Sequence, residues 1–262
     1  MTKKERADKL VVSRGYADSR HKAQALIMAG LVYSGGSRVE KAGQLVPVDH
    51  ALTLKETAPY ASRGGLKLKE ALDTFDISVE GQIAADLGVS TGGFTDCLLK
   101  EGAKKVYAVD VDTRQIDVHL RNDPRVILLE KNARHLIKTD FQDVLDVIVL
   151  DLSFISVLKV LPAVKRIIGQ GTLLALIKPQ FEVGKGKVGK KGIVRDPVQH
   201  EEVLERISRE AEAMSFSFRG VIKTSVRGQK GNQEFFVHWS LQEHSSGSSH
   251  AITMIKEAVW DE

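Results

Sequence analysis

The 262-residue chain has a single cysteine. No internal disulfide can form, so nothing in the fold relies on an oxidising compartment, and a reducing cytoplasm is the expected home. The sequence also lacks any apolar run near the ~20 residues needed to cross a bilayer. Its first stretch, "MTKKERADKLVVSRG", breaks its apolar positions with charges and does not read as a signal peptide. What remains is ordinary globular material, 42% hydrophobic and 27% charged. The length suits one large domain, or a medium domain with a small one attached.

Charge is unevenly placed. Residues 1–70 hold 13 Lys and Arg against 7 Asp and Glu, a net of +6, and the remainder carries −2. A small basic unit ahead of a slightly acidic one suggests that the first part meets a polyanion. A basic face that is merely solvated explains the same numbers.

The front segment is dense in signals. Leu10, Val11 and Val12 close a short helix before Gly15. Asp18 or Ser19 can cap a second helix, because a short side-chain oxygen accepts from the unpaired amides of the first turn. Ala23, Leu26 and Ile27 fall at helical spacing and face inward, with Arg20 and Lys22 left outside. Gly30 ends this helix. "LVYSGG" and "QLVPV" read as short strands joined by glycine turns.

The run "SRHKAQALIMAGLVYSGGSRVEKAGQLV" resembles the RNA-binding S-four domain, with Ser34 standing where Asn or Asp usually precedes the turn glycine. The resemblance implies that Ser19, Arg20, Lys22 and Arg38 line an RNA-backbone surface, a role suited to cations that grip phosphates without reading sequence. The expected organisation is an S-four-like domain over residues 1–57 and a linker over 58–65, where Pro59 and paired glycines interrupt regular structure. A larger domain over 66–242 and a tail over 243–262 follow.

From Leu66 onward helical and extended patterns alternate. Apolar strands separated by helices imply an α/β domain with a mostly parallel sheet covered on both faces. Ligands of such sheets bind beyond the carboxyl ends of the strands. "DLGVSTGG" lies there, leading from the first strand of the domain into a helix. Gly88, Gly92 and Gly93 are spaced G-x-x-x-G-G, so the turn is not the dinucleotide fingerprint. Asp110 closes the next strand, 24 positions after Asp86, where a carboxylate can hold ribose hydroxyls. A nucleoside without a pyrophosphate fits both facts, and S-adenosylmethionine is one. Its expected contacts are Asp86, Gly88, Ser90, Gly92, Gly93 and Phe94, then Asp110 and Val111, then Asn132 and Ala133 of "EKNARHL", and Asp151. "GKGKVGKKG" imitates a phosphate loop, but Lys191 stands where Ser or Thr would hold magnesium. We read it as a basic loop touching RNA through Lys185 and Lys187, with Arg63 beside the larger domain's first helix. No metal is expected.

The acceptor atom can be narrowed by chemistry. Methylating a pyrimidine carbon generally needs a cysteine nucleophile, and Cys97 lies behind the glycine turn, where burial is the simpler role. Methylating an exocyclic amine typically uses an N/D-P-P-[YF] clamp, whereas "DLSF" has no proline. A ribose hydroxyl must lose its proton as the methyl moves. A lysine can take it when a neighbouring like charge lowers its pKa. Lys67, Asp151, Lys178 and Glu234 are the candidates: two follow strands, one precedes the last strand, and one sits on the helix feeding the first. If the last strand is antiparallel, all four reach one sheet edge.

"DLGVSTGGFTD", "DLSFIS", "IKPQFE" and "GNQEFF" resemble the FtsJ-type ribose 2′-O-methyltransferases. With "SRGGLKL" and the front domain, residues 5–241 are similar to the TlyA family of rRNA methyltransferases, often labelled hemolysin A. The resemblance implies a Rossmann-like fold whose last strand is antiparallel. It also implies S-adenosylmethionine as cofactor, a cytidine 2′-hydroxyl of ribosomal RNA as acceptor, and ribosomal subunits as partners. The family's K-D-K-E tetrad maps onto Lys67, Asp151, Lys178 and Glu234. "SRGxxKL" selects Lys67 over Lys69, and Glu234 is expected to help hold Lys178. Two rivals are a membrane-damaging protein, as the hemolysin label suggests, and a catalytically silent RNA-binding assembly factor. No amphipathic lipid-seeking stretch supports the first.

Overall fold

In the computed structural model, which describes residues 3–55, 59–184, 186, 188–241 and 248–261, the chain divides into two units, Met1–Ala58 and Pro59–Glu262. The first unit runs β1 (Lys4–Arg6), α1 (Ala7–Ser13), α2 (Arg20–Met28), β2 (Val32–Ser34), β3 (Ser37–Arg38), β4 (Leu45–Pro47) and β5 (Leu52–Leu54). Ser19 caps α2, its side chain accepting from Lys22 N at 3.2 Å. Gly30 ends that helix at φ +72°, and the Arg38 guanidinium lies where a Cβ at Gly30 would be, 2.7 Å away. Ala23 and Ile27 of α2 pack with Leu10 and Val11 of α1 and with Val32, Val46 and Leu52.

Pairing differs from the sequence expectation. The Gly35–Gly36 turn joins β2 to the two-residue β3, while β4, from "QLVPV", pairs with β1. β1 is "KER", and with no apolar residue it gives no strand signal. The sequence also hid Asp8, which is fully buried. It accepts from Arg6, Arg20, Gln24 and the Lys9 amide. The Arg6 guanidinium holds this carboxyl well below its usual range. A core this small gains little from apolar burial alone, and the ion cluster fixes how α1 meets α2.

The second unit runs α3 (Gly64–Thr74), β6 (Ile83–Leu87), α4 (Gly93–Lys100), β7 (Lys105–Asp110), α5 (Val118–Arg121), β8 (Val126–Glu130), β9 (Val147–Leu150), α6 (Leu161–Ile168), β10 (Gly171–Ile177), α7 (Pro179–Glu182), α8 (Pro197–Ala213), β11 (Ser217–Lys223), β12 (Phe235–Leu241) and α9 (Ser248–Trp260). The sheet order is β11-β12-β10-β9-β6-β7-β8. β10, β9, β6, β7 and β8 are parallel, and β12 runs antiparallel to both of its neighbours. The expected doubly covered, mostly parallel sheet with an antiparallel last strand is what forms.

Alternation along the strands builds two cores. Ala84, Val147 and Val149 meet Leu68, Leu72 and Leu98 on one face. Ala85, Ile148 and Leu150 meet Leu161, Val164 and Leu204 on the other. α9 belongs to the second core through Ala251, Ile255 and Val259, although its segment was expected as a tail. Residues 59–65, assigned by sequence to a linker, lie within this unit, where α3 opens at Gly64. Among the described residues no helix is long and apolar enough to cross a membrane.

A half-buried histidine is expected to make this unit acid-sensitive. His238 of β12 packs its ring 5.4 Å from Phe75, and burial with Arg219 nearby pushes its pKa down to about 4. The unfolded chain takes up this proton near pH 6.5, so between pH 6.5 and 4 the unfolded state binds more protons. Stability is therefore complete above pH 6.5 and falls as pH drops through the window. We expect urea titrations at pH 7 and 4.5 to show a loss in the parent that His238→Leu reduces by up to about 3 kcal/mol.

Candidate active site

Parallel strands in register bring their carboxyl ends to one edge, so Gly88, Val111, Lys131, Asp151 and Lys178 each begin the segment beyond a strand. The antiparallel β12 adds Glu234 to that edge, because Ile177 pairs with Phe235. The residues following β10 and preceding β12 are therefore opposite one another.

Two cavities open here. One of about 320 Å³ is lined by Lys67, Asp151, Lys178 and Glu234, with Ser62, Arg63, Asp86 and Gly88. The other, about 510 Å³, is lined by Asp110, Val111, Asn132 and Ala133. Gly88, Ser90 and Asp151 line both. The larger falls within the usual range for small-molecule sites.

In the smaller cavity the charges form two pairs. Lys178 Nζ lies 2.5 Å from Asp151 Oδ1 and donates to Ser153 Oγ at 3.0 Å. Lys67 Nζ donates to Glu234 Oε2 at 2.5 Å, and both side chains are buried. Glu234 thus holds Lys67 rather than Lys178, which corrects the expectation. Ser153 takes the place at Lys178 that Glu234 was expected to fill. Lys69 points away and pairs with Asp73 and Glu101. Beneath the pairs, Asp86 is fully buried. Thr95 Oγ1 donates to its Oδ2 at 2.7 Å, and Oδ1 has no hydrogen-bond partner among the described residues. Burial, with Asp151 and Asp110 adding like charge, pushes this carboxyl up to about 7.

The glycine turn shapes the wall between the cavities. Gly88 has φ +98°, and a Cβ there would lie 2.5 Å from the Asp151 carbonyl oxygen. Ser90 occupies the left-handed region at φ +49°, unusual for a residue with a side chain. Its amide donates to Asp110 Oδ2 at 2.9 Å, and the Asp112 amide donates to Oδ1. Asn132 Oδ1 accepts from Arg134 N. Gly93 lines the smaller cavity, and the Ser62 hydroxyl stands 2.1 Å from where its Cβ would be. Gly92 and Phe94 serve packing. A Cβ at Gly92 would strike Leu120, and the Phe94 ring lies 5.6 Å from Phe236 while its edge reaches the smaller cavity.

The RNA-facing candidates fall in both units. Arg63 lines the smaller cavity. In the first unit Ser19 is occupied as a cap, Arg20 pairs with Asp8, Lys22 with Asp18 at 2.6 Å, and Arg38 with Glu40 at 3.6 Å. Arg20, Lys22 and Arg38 keep half or more of their side-chain surface exposed. Lys185 and Lys187 lie outside the described residues.

Sequence reading missed Ser62, Ser153, Gln115, Lys131, Arg134 and the exposed Phe154, all of which line these cavities. "SRGG" and "DLSF" were visible as motifs, yet the roles of their serines follow only from contacts across the fold. Cys97 is buried, and burial pushes its thiol up to about 12, so it offers no nucleophile. No three His, Cys, Asp or Glu side chains gather as a metal site among the described residues.

Comparison with known proteins agrees with this architecture. YqxC of Bacillus subtilis is 45% identical over 90% of this chain and 86% of its own length. The 16S/23S rRNA (cytidine-2'-O)-methyltransferase TlyA of Mycobacterium tuberculosis is 42% identical over 90% of each chain. A solved structure from Streptococcus thermophilus that carries a hemolysin label superposes with a TM-score of 0.73 at 40% identity, covering 98% of this chain and 96% of that one. Residues 5–52 match the S4 domain and residues 60–241 the FtsJ-like methyltransferase model. The chain therefore belongs to the FtsJ-like methyltransferase family and carries an S4 domain ahead of the methyltransferase domain.

Proposed function

We propose that this protein transfers a methyl group from S-adenosylmethionine to a ribose 2′-hydroxyl of ribosomal RNA, the acceptor being cytidine. The observation that carries the reading is the gathering of Lys67, Asp151, Lys178 and Glu234 in one cavity that shares a wall with a nucleoside-sized one. The name of the Mycobacterium tuberculosis relative supports the RNA and the nucleotide.

The residues present fit the cofactor. The larger cavity has a glycine wall too close for any side chain at Gly88 and a carboxylate at Asp110. Asp86 lines the adjoining cavity, and its Oδ1, without a hydrogen-bond partner among the described residues, is a polar atom left for a ligand. Asp110 and Val111 would hold the nucleoside sugar, Asn132 and Ala133 the base, and Gly88 and Ser90 the methionine portion. When bound, the sulfonium supplies an electrophilic methyl group.

The chain's own residues do the rest. Lys178 orients the 2′-hydroxyl and takes its proton as that oxygen attacks the methyl group. Asp151 stabilises the ammonium that results, and Ser153 fixes its direction. Lys67 and Glu234, paired and buried, form a rigid wall that limits where the sugar can sit. Such alignment supplies on the order of 7–11 kcal/mol of barrier lowering. The S4 domain grips folded RNA, and the reaction belongs in the cytoplasm, where ribosomal subunits are made.

The grip is electrostatic and must weaken with salt. Titrations of rRNA fragments between 50 and 200 mM salt (about fourfold in concentration) should give a steep log–log slope. Lys22→Ala or Arg38→Ala should each reduce that slope by about one. The central test incubates the purified protein with methyl-labelled S-adenosylmethionine and ribosomal subunits, then maps ribose methylation. Label at a cytidine 2′-oxygen is expected, and no transfer to any subunit would overturn the proposal.

A further inference from the structure

The turn that presents Glu234 is tied to the segment before α8 by one buried amide. Asn232 is only 3% exposed. Its Oδ1 accepts from Val194 N at 3.1 Å, and its Nδ2 donates to Gly192 O at 3.0 Å. Its carbonyl oxygen accepts from Gly228 N at 2.9 Å. Gly228 in turn has no room for a side chain, since a Cβ there would lie 1.9 Å from Glu234 Oε1. The Glu234 carboxylate is thus caught between Lys67 and the Gly228 backbone, and Asn232 sets where that backbone runs. Gln233 closes the other side, its Nε2 donating to Thr224 O at 2.9 Å.

We infer that Asn232 is a positioning residue, locking the 189–195 segment to the Gly228 turn so that Glu234 stays on Lys67. The inference rests on the reading of the cavity as a methyl-transfer site. Asn232 reaches no reacting atom; it acts through the Glu234 carboxylate. A displacement of about 1 Å at a catalytic wall carries a rate penalty of up to about 10²-fold, while cofactor affinity, set across the sheet edge at Asp110, is expected to be untouched.

The test is a double-mutant cycle in the full chain. Asn232→Ala should slow single-turnover methylation of ribosomal subunits, at saturating RNA and S-adenosylmethionine, by roughly 10–100-fold. The dissociation constant for S-adenosylmethionine by calorimetry should stay within about twofold. In the Glu234→Gln background the same substitution should cost less than about twofold more, because both changes disable one unit. Losses that multiply, or a parent-like rate in Asn232→Ala, would overturn the inference. Should Asn232→Ala not fold, Asn232→Asp serves, keeping the acceptor for Val194 and losing the donor to Gly192. A parent that methylates nothing defeats the reading of the cavity; an active parent with multiplying losses defeats only the role of Asn232.

Discussion

Replacing Lys178 with alanine is expected to slow methyl transfer by roughly 10²–10⁴-fold while the protein remains folded and binds cofactor as before. Lys178 follows β10 at the rim of the sheet, with Asp151 at 2.5 Å and Ser153 at 3.0 Å. Among the described residues, the other lysine of this cavity, Lys67, is committed to Glu234, and Lys69 pairs on the outside of α3. Removing the amine leaves Asp151 with partial exposure to water, so the stability cost is small and the loss appears in the chemical step. Single-turnover rates, paired with calorimetric titration of the cofactor, are the measurement. A variant that turns over at the parent's rate would remove Lys178 from the proton transfer.

The second large effect is on folding. Glu234→Leu leaves the Lys67 ammonium in a site where its side chain is 10% exposed, without the carboxylate that neutralises it. Breaking a buried pair by removing one partner costs about 3–5 kcal/mol, whereas replacing both partners with apolar groups of similar size is often neutral. Urea denaturation should therefore show a large loss for Glu234→Leu and recovery of most of it in the Lys67→Met/Glu234→Leu double variant. The double variant should still be inactive. Recovery of stability without activity would separate what the pair does for the fold from what it does for the reaction. Equal stability of parent and single variant would mean that Lys67 escapes to water.

Much of this architecture was legible beforehand because its signals are local or periodic. Alternating apolar strands and helices announced a parallel sheet, and parallel strands oblige whatever follows them to share an edge. Asp151, Lys178 and Asp110 were placed by that rule, and Glu234 by the orientation of β12. Partner choice was not legible. Lys67 and Glu234 are 167 residues apart, and no spacing says which lysine takes which carboxylate. The same limit hid Ser153, the Asn232 tie and the buried Asp8, whose significance lies in groups brought near by folding. β1 was missed for a different reason: a three-residue strand of charged side chains pairs through its backbone alone.

The last helix carries a consequence for the gene. Ala251, Ile255 and Val259 of α9 cover the flanks of α8 and β11, and Trp260 Nε1 donates to Glu201 at 2.7 Å. A premature stop codon just past Leu241 would spare every residue of the reaction centre yet strip the greasy seam that α9 seals. Its product would present sticky surface to chaperones and proteases. Nonsense alleles in this stretch should thus behave as nulls through loss of protein, not through damaged chemistry.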